Sequence, residues 1–243
     1  MYGPELARIH HEGFGDIARA AAEELLRRLR DAGLWRGAVA DLGCGSGILA
    51  SILSEAGYAV HGVDRSPDML DIARRTAPRA TLAEGSWVEA GLPPGTVAVT
   101  LVGECVNYID DPAAGVEAIG RLAQRAIEAL PPRGVLMLDL AGPGRGGARG
   151  HTDGFHLGDD WALGTRARER PERDELVREI TVFTRDGESW RRHDETHRLT
   201  LHDPDAVARL LAMTGFEVTA LPGYGDIRLP GWSVLVAEAP GDG

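Results

Sequence analysis

The amino-acid sequence predicts a doubly wound α/β protein. It has a seven-stranded, mostly parallel sheet, helices ahead of it at the N-terminus, and an inserted antiparallel β roof after the fifth strand. Three observations carry this prediction. Short apolar runs alternate with helical periodicity from residue 38 to residue 140, the pattern of a parallel sheet wound by helices. The first run, Ala38 to Leu42, opens into Gly43-Cys44-Gly45-Ser46-Gly47 and then a helix. Twenty-one residues past Gly43 the second run ends in Asp64, where such folds hold ribose hydroxyls.

Residues 3 to 32 read as two helices. Glu5 to His11 is short and is broken by Gly13 to Gly15. Asp16 caps a longer helix whose Ile17, Ala21, Leu25 and Leu29 recur four apart on one face. Strand 38–42 leads into helix 47–56. Strand 59–63 leads into helix 67–76, with Ser66 as N-cap and Pro67 in the first position. Ala80 to Ala83 is a short third strand, and Val97 to Val102 is an unbroken apolar fourth, as for a strand buried on both faces. A helix over 112–130, the turn Pro131-Pro132-Arg133-Gly134 and a fifth strand at Val135 to Leu140 follow. Ala141 to Gly150 holds five glycines and two arginines and reads as a mobile loop or lid. Strand-like runs at 161–168, 176–185 and 189–201, with Asp186-Gly187 as a hairpin turn, make the roof over the carboxyl ends of the main strands. A helix from Asp203-Pro204 to Thr214, a sixth strand at Phe216 to Leu221 and a seventh at Trp232 to Glu238 complete the sheet. Pro240 to Gly243 reads as a frayed tail.

Composition narrows the class of partner. The chain has 243 residues, 43% of them apolar, and a mean hydropathy of −0.16, ordinary for a soluble protein. No stretch approaches the ~18 apolar residues of a membrane span, and the first residues lack a signal-peptide pattern. Cys44 and Cys105 are too few for a disulfide framework. A reduced, cytoplasmic protein without a membrane partner is expected, as monomer or homodimer. The net charge of −11 argues against a nucleic acid and for a small-molecule substrate. All 26 cationic side chains are arginine, which excludes Schiff-base and lysine-base chemistry. The glycine turn fails the dinucleotide pattern G-x-G-x-x-G because Ile48 stands where the last glycine belongs. It fails the P-loop pattern because no lysine follows.

Asp41-Leu42-Gly43-Cys44-Gly45-Ser46-Gly47 resembles the first motif of the class I S-adenosylmethionine-dependent methyltransferases, and Val60 to Leu70 resembles the second. The resemblance is to the small-molecule type. It implies a Rossmann-like core that binds S-adenosylmethionine and releases S-adenosylhomocysteine. The implied cofactor residues are Asp41, Gly43, Cys44, Gly45, Asp64, Arg65 and Met69, with Asp64 accepting both ribose hydroxyls and Met69 under the adenine. Glu84-Gly85-Ser86-Trp87 stands where the family usually has Gly-Asp against the adenine amine. Ser86 replaces that aspartate, so the adenine contact is expected to shift to backbone groups and to Trp87, with Gly85 and Ser86 beside it. Leu101 to Tyr108 resembles the fourth motif and adds Gly103 and Glu104 to the cofactor set. It lacks the Asn/Asp-Pro-Pro-Tyr/Phe signature of enzymes acting on nucleic acid bases. Leu130 to Leu136 resembles the "L-x-P-G-G" turn, with Arg133 for the first glycine. The family's N-terminal helices often lie over the cofactor, which makes Tyr2, His10 and His11 lid residues by resemblance, Tyr2 toward the cofactor and His11 toward catalysis. The whole chain then reads as one domain: 1–36 a helical lid, 37–140 the cofactor-binding core, 141–201 the insertion and 202–243 the end of the core.

The remaining catalytic candidates come from the residues. A hydroxyl or ammonium nucleophile needs a proton acceptor. Alternation along the third inserted strand puts His193, Glu195, His197, Leu199 and Leu201 on one face. His197 is a candidate base with Glu195 orienting it; cross-strand charge pairing on a solvated face remains the alternative. The His-x-Glu-x-His run also suggests a metal, but alternate residues of one strand do not give three ligands in fixed geometry, and no metal is expected. Tyr108 follows the fourth strand and is weighed between catalysis and packing, as is Tyr224 in the last loop. The function expected is methyl transfer to an N or O nucleophile of a small molecule. Alternatives are a non-catalytic cofactor-binding partner subunit and an aminopropyl-transferase-like enzyme.

Overall fold

The computed structural model describes residues 2–241. Asp242 and Gly243, the end of the expected frayed tail, lie outside the described residues. Parallel strands β1 (Ala38–Leu42), β2 (Ala59–Asp64), β3 (Thr81–Glu84), β4 (Thr96–Leu101) and β5 (Val135–Ala141) build the main sheet. The late strands β10 (Glu217–Leu221) and β11 (Trp232–Glu238) finish it, β11 running antiparallel to both of its neighbours. The order is β10-β11-β5-β4-β1-β2-β3. From β1 the chain winds outward through β2 and β3, then returns to lay β4 on the other side. That reversal opens a crevice at the carboxyl ends of β1 and β4, where doubly wound sheets bind ligands.

Both faces of this sheet are covered. On one face lie α5 (Val116–Ala129) and α6 (Pro204–Met213), whose Ile119, Leu122, Val207 and Leu211 meet Val99, Leu101 and Leu138. On the other lie α2 (Asp16–Asp31) and α3 (Ile48–Glu55), whose Leu25, Leu29 and Leu53 meet Val39 and Met137. Helix α4 (Pro67–Thr76) starts as expected, Ser66 Oγ accepting the Met69 N–H at 3.2 Å.

Most boundaries fall within two residues of expectation, and three differences have a visible local cause. Helix α2 is capped by Gly15, and Asp16 is its first residue. Helix α5 begins at Val116, four residues late, because the Asp111 side chain accepts the Ala113 N–H and Gly115 stands at φ +137. A short 3-10 turn at Cys105–Asn107 lies earlier in the loop after β4. The hairpin turn falls one residue later than Asp186-Gly187, since Asp186 pairs with Ser189 around Gly187-Glu188.

The insertion is a four-stranded antiparallel sheet of β6 (His151–Leu157), β7 (Trp161–Arg170), β8 (Glu175–Asp186) and β9 (Ser189–Thr200). Strand β6 is an addition to the three expected strands. It is an edge strand with almost every side chain exposed, so it shows no apolar alternation. Asn107 fastens the roof to the core: its amide N–H groups reach the carbonyls of Ala141 and Thr200, and its Oδ1 accepts the Ala141 N–H. Helix α1 (Pro4–Gly13) is gripped beneath the roof, Leu6 and Ile9 packing on Trp161, Leu163, Ile180 and Val182.

Candidate active site

Two adjoining cavities open at the carboxyl ends of β1 and β4. The smaller, about 150 Å³, lies over β2 and β3 among Asp64, Arg65, Met69, Gly85, Trp87 and Asp111. The larger, about 440 Å³, lies between the glycine turn, α1 and the inner face of the roof. Tyr2, His10, Gly43, Gly45, Gly103 and Tyr108 belong to both walls.

The glycine turn is pinned by the second strand. The Gly43 and Cys44 N–H groups both donate to the Val63 carbonyl, and Gly45 N–H donates to Asp64 Oδ2 at 2.8 Å. Ser66 N–H donates to Asp64 Oδ1 at 2.8 Å. Burial raises the Asp64 pKa, and these N–H bonds oppose that rise. A carboxylate offers about four acceptor positions, and with the Arg65 N–H also bonded to it, what remains open faces the smaller cavity, where a ribose hydroxyl can donate. No atom lies within 4 Å of where a Cβ would stand on Gly45 or Gly103; any side chain there would project into space a ligand needs.

Asp41, next to last in the first strand, lines the larger cavity. Its Oδ1 accepts from Thr100 at 2.8 Å, but its Oδ2 is buried without a partner. Burial pushes the Asp41 pKa up to about 7, with the Asp64 charge adding to the effect. An unpartnered buried carboxylate oxygen is costly and fits a cationic amino group. With Asp64 opposite, these residues suit a ligand carrying an ammonium at one end and a ribose at the other, as S-adenosylmethionine does.

Glu104 sits in the left-handed region at φ 61 and is buried. Arg145 from the glycine-rich loop and Arg178 from β8 both donate to its carboxylate, Arg178 at 3.0 Å. Burial pushes its pKa up, and Arg178 and Arg145 outweigh burial to hold it low. Beneath it the buried Asp139 accepts from the Gly103 and Glu104 N–H groups and from Tyr224 OH at 3.2 Å. Tyr224 is therefore a packed core residue. Burial raises Asp139 to about 6.

The structure separates the catalytic candidates. Tyr108 lines both cavities, and its hydroxyl meets that of Tyr2 at 3.2 Å. His197 faces inward as the alternation requires but stands behind that pair, its ring 4.9 Å from Tyr2 and 5.6 Å from Tyr108, outside both walls. Its Nε2 is bonded to Glu195 at 3.0 Å, and Glu195 accepts the Gly3 N–H. His11 bonds Ser46 in the glycine turn at 3.0 Å and also lies outside both walls. Cys44 lines only the larger cavity, and Ser86 lies just behind the smaller one. His193 pairs with Glu5 at 3.6 Å. Among the described residues no group of three or more His, Cys, Asp or Glu is gathered to hold a metal ion.

Four wall residues escaped the sequence reading in these roles. His10, noted only as a lid residue, lines both cavities; burial lowers its pKa to about 4, with the charges of His197 and Arg178 contributing. Arg178 interrupts an apolar stripe of inward residues (Leu176, Ile180, Val182), a signal that was present in the alternation. Arg145 and Asp111 come from loops, where no periodicity marks them. Among the described residues no helix is long and apolar enough to cross a membrane.

Comparison with known proteins agrees with this fold. A family profile described as a methyltransferase domain matches residues 14–221. A Streptomyces fradiae protein, dTDP-3-amino-3,6-dideoxy-alpha-D-glucopyranose N,N-dimethyltransferase, is 25% identical over 91% of this chain and 88% of its own. Similar solved structures include an S-adenosylmethionine-dependent methyltransferase from Clostridium acetobutylicum, with TM-score 0.77, 18% identity and coverage of 97% and 98% of the two chains. Another is CalS10, an amino pentose methyltransferase from Micromonospora echinaspora with S-adenosylmethionine bound, with TM-score 0.75, 20% identity and 98% coverage of both chains. The chain belongs to the methyltransferase-domain family and is an S-adenosylmethionine-dependent methyltransferase of small molecules.

Proposed function

We propose that this enzyme methylates the amine of a small molecule, with amino sugars as the substrate class, and that His10 accepts an N–H of the incoming amine. The observation that carries this reading is His10 itself, neutral through the physiological range on the wall shared by both cavities. A neutral imidazole suits an amine. An ammonium loses its proton to solvent near pH ~8–10; the free amine then needs only an acceptor for its N–H, and the proton left on the methylated ammonium departs to water. So weak a base is poorly matched to an aliphatic hydroxyl, which holds its proton about as tightly as water, pKa about 15.7. The Streptomyces fradiae relative, an N,N-dimethyltransferase of an amino sugar nucleotide, supports an amine acceptor, and CalS10, an amino pentose methyltransferase, supports amino sugars as the substrate class.

When bound, the donor supplies an electrophilic methyl carbon; the chain's tasks are binding, alignment and exclusion of water. Asp41 Oδ2 receives the donor's amino group and Asp64 its ribose hydroxyls, with Met69 and Trp87 against the adenine. Tyr2 and Tyr108 flank the reacting end. Glu104, with Arg145 and Arg178, forms the polar floor of the acceptor cavity rather than a cofactor contact. His197 and Glu195 hold the start of α1 and the two tyrosines in place, and His11 fastens α1 to the glycine turn; these three are positioning residues. The four segments thus work as one domain around one site. Free Cys44 and Cys105 support a reducing, cytoplasmic setting, and the charge of −11 supports a site without a nucleic acid partner.

The test is incubation with methyl-labelled S-adenosylmethionine and three acceptors: an amino sugar nucleotide, its hydroxyl counterpart and a catechol. Label on the amine alone is expected. Label on the hydroxyl or the catechol, with none on the amine, overturns the reading.

A further inference from the structure

We propose that Asp111 reads the adenine of the donor, supplying from the loop after β4 the carboxylate that is missing at Ser86. Asp111 is far in sequence from β2 and β3, yet it lines the smaller cavity beside Gly85, Trp87 and Met69. It is 7% exposed. The Ser86 hydroxyl is fully directed: it accepts the Val88 N–H at 3.0 Å and donates its single proton to Asp111 Oδ2. Asp111 Oδ1 accepts the Ala113 N–H at 3.1 Å, and the Arg65 guanidinium stands 4.0 Å from Oδ2.

This wiring leaves the carboxylate with open positions. Of about four lone-pair sites, two are used in hydrogen bonds, and the side chain is held by partners on both oxygens. Adenine's exocyclic amine presents two N–H donors and no acceptor, and a donor taken out of water needs an acceptor. Ser86 braces and Asp111 accepts. The loop that carries Asp111 also carries Tyr108, so reading the adenine and closing the wall around the reacting end involve the same short segment. The inference concerns the donor alone and stands whatever the acceptor proves to be.

Calorimetric titration of the protein with S-adenosylhomocysteine and S-inosylhomocysteine tests it, because the second carries a carbonyl oxygen in place of the amine. The unaltered protein is expected to favour the adenosyl compound about tenfold or more. Asp111→Asn, which offers an N–H donor to the carbonyl, is expected to narrow or invert that preference. Ser86→Ala, which removes the brace and keeps the carboxylate, is expected to reduce the preference without inverting it. Melting curves followed by circular dichroism establish that each variant is folded. Equal affinity of the unaltered protein for the two compounds overturns the proposal without any variant. So does an Asp111→Asn protein that weakens both by one factor.

Discussion

The hydroxyls of Tyr2 and Tyr108 stand 3.2 Å apart although 106 residues separate them. This contact joins the segment ahead of α1 to the loop after β4, directly over the meeting of the two cavities. The same segment is held from two further sides. Ser66 Oγ donates to the Tyr2 carbonyl at 2.9 Å, and Glu195 accepts the Gly3 N–H at 3.0 Å. The start of the chain is thus tied to the second strand's loop, the fourth strand's loop and the roof.

Tyr108→Phe removes one hydroxyl of the pair and keeps the ring packed on His197. A hydrogen bond of this kind contributes about 0.5–1.5 kcal/mol, so a rise of roughly two- to tenfold in KM for the donor is expected. The melting temperature should move little. Steady-state kinetics with a thermal melt check this; a large loss of stability with unchanged KM would assign the tyrosine to the core alone.

Glu104 holds two arginines at once, and its removal leaves both without their carboxylate. Breaking a buried pair of this kind costs about 3–5 kcal/mol, so Glu104→Gln should lower the urea midpoint strongly. Arg178 and Arg145 hold the Glu104 pKa below its ordinary 4.5. Its contribution is therefore complete above that value and lost only as the pH falls through the lower, folded value. The variant and the unaltered protein should accordingly converge in strong acid. Arg145 belongs to the loop between β5 and β6, so trypsin should cut the variant faster after Arg145 and Arg149. Unchanged cleavage would mean that the loop is held by other contacts, such as Gly146 N–H to Glu169.

How far the sequence revealed this site depends on where each residue lies. The residues proposed to hold the donor were legible because they lie at strand ends and tight turns: Asp41, the glycines and Asp64 fall at spacings the fold imposes. The alternation in β9 placed His197 on the inner face but not in the wall, since parity gives a direction and not a depth. His10 was harder to read, because Arg178 and His197, two of the charges that set its environment, come from roof strands more than 160 residues later. β6 was unreadable as a strand because an edge exposed on both faces needs no apolar alternation. Asp111 lay in a loop, and only its neighbours in space distinguish it from any surface aspartate.

His10 makes a distinctive prediction for the pH profile. Burial keeps it at about 4, so it does not titrate between pH 5 and 9. The value of kcat/KM should rise with pH as the substrate's own ammonium loses its proton, around pH ~8 for an amine of α-amino basicity, with no break in the ordinary histidine range. His10→Ala should lower the plateau by roughly two- to tenfold, the loss of one hydrogen bond to the reacting amine, and leave the midpoint where it was. A break near 6.5 that vanishes in the variant would show that His10 titrates normally and sits in water.

Asp41 links donor binding to stability with opposite signs. Its carboxyl is raised from 3.8 to about 7 by burial, so in the unliganded protein it is largely protonated below neutrality. A cationic amino group at the unpartnered Oδ2 favours the ionised form. Binding should therefore release a proton, and affinity for S-adenosylhomocysteine should tighten as the pH rises from 6 to 8 and then level off. For folding the sign reverses. Between about pH 4 and 7 the folded state holds a proton that the unfolded chain has lost, so stability falls as the pH rises through this window. Asp41→Asn removes both effects. It should weaken the cofactor by roughly 10–100-fold at pH 8 and raise the unliganded protein's stability there by up to about 4 kcal/mol, a gain that vanishes near pH 4. Titration calorimetry in buffers of differing ionisation enthalpy, with urea denaturation at the same pH values, reads both. If the substitution destabilises the unliganded protein at pH 8, the Oδ2 has a partner in solution and the amino group of the donor is held elsewhere.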